Sequence, residues 1–100
     1  MNIAVRFYTR SGNTEKLANA IAEVIGEKAE SVSIPLTGKV DVLFLGCSYY
    51  AFDVDENVKK FIRENKGKIG KIVCFGTSAM MKSVYKPMKK VAEENGVEIE

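Results

Sequence analysis

The apolar residues of this chain change period several times along its length, and that alternation limits the folds open to it more than any other feature. Residues Ile3–Tyr8 (IAVRFY) are short, β-branched and aromatic, the pattern of a strand buried on both faces. Between Asn13 and Ile25 the period lengthens. Leu17, Ala18, Ile21, Val24 and Ile25 fall on one side at helical spacing, and Gly26 follows as a C-cap. Glu30–Ile34 (ESVSI) is a second strand, and Pro35 with Gly38 marks a loop too short for a full helix. Val40–Gly46 (VDVLFLG) is the most hydrophobic strand and suits the centre of a sheet. The loop CSYYAFDVDE leads into a helix from about Asp55 to Asn65, with Val58, Phe61 and Ile62 inward. Lys71–Gly76 (KIVCFG) is a fourth strand and TSAMMKS a hydroxyl-rich loop. A last helix turns Val84, Tyr85, Met88, Val91 and Ala92 inward and Lys82, Lys86, Lys89 and Lys90 outward; Pro87 predicts a kink or a fresh start within it. Gly96 closes that helix, and VEIE is a short fifth strand.

Strands alternating with helices imply a parallel sheet with right-handed crossovers, a doubly wound α/β domain spanning residues 1–100. One hundred residues bury a core without disulfides or metals. The chain has two cysteines and no histidine, which argues against zinc ligation and removes Ser-His and Cys-His nucleophilic catalysis. A net charge of +2 gives no reason to expect nucleic-acid binding. No apolar run reaches the ~20 residues needed to span a bilayer. Residues 1–8 lack the basic leader and cleavage site of a signal peptide, so the cytoplasm is the expected compartment, with no membrane partner.

In an open parallel sheet, ligands bind beyond the carboxyl ends of the strands, where the strand order reverses. Three segments leave such ends with suitable composition: 9–14, 47–53 and 76–81. The first, TRSGNT, runs straight into a helix N-terminus, whose unpaired amides and dipole attract an anion. Thr9, Ser11 and Thr14 supply hydroxyl donors, Gly12 lets the backbone come close, and Asn13 tolerates unusual backbone angles and can cap the helix. A helix cap needs one of these residues, whereas six in a row after a buried strand suit a phosphate. The Walker pattern GxxxxGK[ST] does not match, which disfavours nucleotide triphosphate hydrolysis.

FYTRSGNTEKLA resembles the phosphate-binding signature of flavodoxins, T-x-[TS]-G-N-T after the first strand, with Arg10 at its variable position. The resemblance runs along essentially the whole chain. VDVLFLGCSYYAFDVDENVKKFI is similar to the third strand, flavin loop and following helix of short flavodoxin-like proteins, and IVCFGTSA to their fourth strand and second flavin loop. It implies a five-stranded sheet of order 2-1-3-4-5. It also implies that Thr9, Arg10, Ser11, Gly12, Asn13 and Thr14 surround the 5′-phosphate of FMN. Ser48, Tyr49 and Tyr50 would border the isoalloxazine from one loop and Thr77, Ser78 and Ala79 from the other, with Tyr50 favoured for stacking. Relative to that family, the helix between strands two and three is reduced and the final helix is missing. The 76–81 loop has no aromatic, and Met80 or Met81 is the soft apolar contact available there.

The expected function is FMN-dependent electron transfer with an unidentified redox partner protein, or a simple flavin-dependent redox reaction. The alternative is a flavodoxin-like module that binds another phosphate-bearing ligand, or only a protein partner. Other functions of this topology fail on residues: a phosphoacceptor domain needs an aspartate where Gly46-Cys47 stands, and the small phosphatases and sugar-phosphotransferase proteins need a cysteine just after strand one. Cys47 and Cys74 read as small buried hydrophobes, and Asp53, Asp55 and Glu56 as acids favoured at a helix start. With the final helix missing, Val73, Phe75, Val97 or Ile99 would lie bare on the first helix's side, an expected homodimer surface.

Overall fold

The computed structural model describes residues 2–8, 13–47, 49–50, 53–54, 56–75 and 81–99, with backbone alone for 13, 14, 47, 49, 50, 53, 54 and 81–85. The main sheet is built from β1 (Ile3–Tyr8), β2 (Ala29–Ser31), β3 (Val40–Cys47), β6 (Ile69–Phe75) and β7 (Glu98–Ile99), in the order β2-β1-β3-β6-β7. All its pairings are parallel, so the order is the expected 2-1-3-4-5. Between β3 and β6 lie two strands that sequence reading missed: β4 (Tyr49–Tyr50) and β5 (Asp53–Val54), an antiparallel pair.

Helix α1 (Asn13–Ile25) covers one face of the sheet, while α2 (Glu56–Asn65) and α3 (Met81–Glu94) cover the other. Strand alternation divides the side chains between the two cores. Val5 and Phe75 meet Ala18 and Ala22 under α1, whereas Leu43, Leu45, Ile72 and Cys74 meet Val58, Phe61, Ile62, Met88 and Ala92 under α2 and α3. The two alanines let α1 approach closely, so the helix is centred on Ala18, Ala22 and Ile25. Val24, expected inward, therefore falls more than ~100° round the helix from that line and is 86% exposed. Gly26 and Gly96 end α1 and α3 with φ of 74° and 70°, as helix C-caps require.

The connection from β2 to β3 contains no helix. It is held instead by buried polar groups from distant elements. Arg6, in the middle of β1, donates from Nε to Ile34 O (3.0 Å) and from Nη2 to Pro35 O (3.3 Å), with Nη1 on Val5 O (3.0 Å) and facing Glu30 at 3.7 Å. Burial pulls the guanidinium below its ordinary value and Glu30 partly offsets this. Asn65 Oδ1 accepts from Leu36 N (3.1 Å) while its Nδ2 donates to Phe61 O (2.9 Å), and Lys68 Nζ donates to Leu36 O (2.9 Å). Leu36 is thereby carried into the α2–α3 core in place of a helix. The second strand stops at Ser31, short of the expected Ile34, because Ile34 N turns back to Ser31 O (3.0 Å) and lets the chain cross to Arg6.

Of the kink or fresh start expected at Pro87, the fresh start is excluded, since helix α3 runs through that residue. One further expectation needs correction. Among the residues expected to be bare beside α1, Val97 and Ile99 pack with the α2–α3 core and Phe75 is buried, leaving Val73 half-buried. The ring of Phe75 lies over Gly46, where an added Cβ would stand 2.4 Å from it.

Cys74 is core, as expected, and burial pushes its thiol up to about 12. Because the folded thiol titrates above the unfolded one, this group leaves stability unchanged below the unfolded value of 9.0 and lowers it as pH rises from there towards 12. Relative to Cys74→Val, the native chain should lose about 2 kcal/mol between pH 8 and pH 10.5. Urea unfolding of both proteins at the two pH values measures the difference.

Candidate functional site

β1, β3 and β6 end level with one another. Tyr8 pairs with Cys47 and Gly46 with Phe75, so the three segments singled out in the sequence leave adjacent strands at one edge of the sheet. β1 leads outward to β2, whereas β3 and β6 continue the sheet the other way, so the order reverses between β1 and β3. This is the crevice in which doubly wound sheets bind ligands.

α1 starts at Asn13, five residues after the end of β1. Its packing on Val5 through Ala18 and Ala22 holds its amino end over the carboxyl end of that strand. Asn13 and Thr14 occupy the first turn, where backbone N–H groups have no helical acceptor. Thr9, Arg10, Ser11 and Gly12 lie outside the described residues, as does Ser48. Thr77, Ser78 and Ala79, with Met80, lie outside them too. For Met81, α3 is described from its backbone alone. The structure therefore brings together the strand ends from which the three segments leave: Tyr8, Cys47 and Phe75.

The middle segment is more ordered than its sequence suggests. Tyr49 pairs with Val54 and Tyr50 with Asp53 in the β4–β5 hairpin. Successive residues of a strand take opposite faces, so Tyr49 and Val54 share one face of the hairpin and Tyr50 and Asp53 the other. Asp53 is thus a strand residue, not a helix-start acid; Asp55 lies outside the described residues, and Glu56 opens α2 with an ion pair to Lys59 at 3.6 Å. β5 lies beside α3, which ties the hairpin to the element following the third segment.

A recess of ≈ 290 Å³ opens at the same edge, between the end of β2 and α2, where a crossover helix would otherwise stand. Tyr8, Ser31, Ser33 and Lys60 give it a polar lining, and Ser31 Oγ accepts from Ser33 N at 3.2 Å. The chemistry available here is binding by backbone amides, hydroxyls and aromatic rings. Among the described residues no group of acids, cysteines or histidines could hold a metal ion, and no helix is long and apolar enough to cross a membrane. Cys74 offers no reactive thiolate, since it is buried and its thiol is pushed up.

No protein-family model matches the sequence, and no curated protein does. Solved structures do match. A flavoprotein in complex with FMN from Lactobacillus acidophilus NCFM superposes with a TM-score of 0.78 at 13% identity, over 98% of this chain and 89% of that one. A short-chain flavodoxin associated with a non-canonical PDU bacterial microcompartment gives 0.65 at 18% identity, over 99% and 79%. Oxidised flavodoxin 2 from Bacillus cereus gives 0.62 at 18% identity, over 98% and 78%. With the strand order, these likenesses establish a flavodoxin-like fold.

Proposed function

We propose that this chain binds FMN non-covalently at the carboxyl edge of its sheet and works as a small flavin redox protein, carrying electrons for a partner protein. The observation that carries this reading is the start of α1 at the reversal of strand order, within TRSGNT at its Asn13. An anion there meets unpaired amides and the positive end of the helix dipole, and the hydroxyls of Thr9, Ser11 and Thr14 complete its shell. The hairpin carrying Tyr49 and Tyr50 stands at the end of the neighbouring strand, as a wall for the ring. FMN, when bound, supplies the hydride and electron chemistry; the protein positions the ring and sets the polarity around it.

The residues fit the cofactor better at its phosphate end than at its ring end, because 76–81 brings no second aromatic. Replacing Ser11 and Thr14 together by alanine should weaken FMN about tenfold or more while changing riboflavin affinity less than about twofold, since charge-assisted hydrogen bonds are lost only for the ligand with the phosphate. Equal losses for the two flavins would mean that TRSGNT does not hold the phosphate.

A further inference from the structure

The charges of this chain are unevenly divided. Residues 56–95 hold ten Lys and Arg against four Glu, a net of +6, while the remainder carries five against nine, a net of −4. The structure gathers much of the positive share onto one surface, because α2 and α3 lie side by side over the same face of the sheet. Lys60 and Arg63 of α2 and Lys86, Lys89 and Lys90 of α3 are exposed. Between the helices runs a groove of ≈ 250 Å³ lined by three cations, Lys59, Arg63 and Lys90, one acid, Glu94, the amide of Asn95, and Pro87 with the buried Val91.

We propose that the α2–α3 face is the docking surface for a protein partner whose own contact surface is acidic. This rests on the redox reading above and adds to it the charge of the partner. Three features select such an occupant. The groove offers cations beside an apolar floor, which suits acidic and apolar side chains presented together, as in the rim and centre of protein interfaces. Glu64, Glu93 and Glu94 stand among the cations, an arrangement that matches a patterned protein surface and repels a continuous run of phosphates. Both helices also begin at the carboxyl edge of the sheet, after the hairpin and after the third segment, so the groove between their later turns lies on the face that continues to the ring end of the site. Complementary charge accelerates such encounters, and salt weakens them.

The test uses the full chain, with and without FMN, and three probes: an acidic peptide in which glutamates are interspersed with leucines and serines, vesicles rich in anionic lipid, and a single-stranded RNA oligomer. In the NMR spectrum at low salt, the peptide should shift amides of α2 and α3, including Arg63 and Lys90, and leave α1 unmoved. Arg63→Glu with Lys90→Glu should weaken peptide binding about tenfold or more, and the equal charge change Lys28→Glu with Lys39→Glu should change it less than about threefold. Equal losses in the two variants, shifts scattered over both faces, or tighter binding of vesicles or RNA than of the peptide would overturn the proposal. Peptide binding is read without flavin, so failure to bind FMN would count against the redox reading alone.

Discussion

Arg6→Met should destabilise the fold by about 3–5 kcal/mol, the summed cost of three lost charge-assisted hydrogen bonds, one of them to a buried carbonyl. The guanidinium is 6% exposed and donates to three backbone carbonyls, two of them in the loop that joins β2 to β3. Methionine keeps an apolar stem and removes every donor. The carbonyls of Ile34 and Pro35 then lose their partner, and Glu30 loses its counter-charge. The buried acceptor, Val5 O, costs about 1–3 kcal/mol when left unpaired, and the two part-buried ones, at exposed Ile34 and Pro35, cost less. Against a total stability of about 5–15 kcal/mol for a domain of this size, the loss is large. It should lower the melting temperature by roughly 12 °C or more. Hydrogen exchange adds a local signature: the amides of Val32 and Leu36, bonded to Phe7 O and Asn65 Oδ1, should lose protection before those of β3. A variant melting within a few degrees of the native chain would contradict the role given to Arg6.

Leu43→Ala should cost a similar amount, about 3–5 kcal/mol, through a different mechanism. Leu43 is fully buried on the central strand, in the core beneath α2 and α3. Alanine removes its apolar contacts and leaves a cavity between a sheet and two helices that cannot easily collapse. Since α2 and α3 both pack on that core, the loss should appear as one cooperative transition at lower denaturant with an unchanged slope. Val24→Ala is the matching control, because its side chain is already in water and its loss should change stability by less than about 0.5 kcal/mol.

How far these features were legible in the sequence depended on where their partners lie. β1, β3, β6, α2 and the glycine ends of α1 and α3 follow from local periodicity and caps, which need no distant information. Arg6 sits inside a strand whose neighbours are all apolar or aromatic, and nothing near it in sequence explains its burial. Its acceptors come from Ile34 and Pro35, twenty-eight and twenty-nine residues away. Asn65 was equally hidden, as the last residue of a helix whose apolar stripe was otherwise plain. The β4–β5 pair was missed because the two residues that separate its strands in sequence are Ala-Phe, not the Asn-Gly or Asp-Gly that marks a tight hairpin. At Pro87 the sequence left a kink or a fresh start open, and the structure excludes the fresh start. The cost of proline to a helix is real, yet Met88, Val91 and Ala92 bury enough apolar surface beyond it to carry α3 through.

For the site, the rule that ligands gather at carboxyl ends was enough to select three segments from one sequence. The register of Tyr8 with Cys47 and of Gly46 with Phe75 explains why those segments belong together. The contribution of TRSGNT is chemical as well as positional, since its hydroxyls and glycine flank a helix start that the fold places at the reversal of strand order.

The most direct test of the central claim is a parallel titration of the purified chain with FMN and riboflavin, followed by flavin fluorescence and the visible spectrum. The expected result is one FMN per chain, bound about 100-fold tighter than riboflavin, as a few charge-assisted contacts to a phosphate at a helix start would provide. No FMN binding at millimolar concentration, or equal affinity for the two flavins, would contradict it.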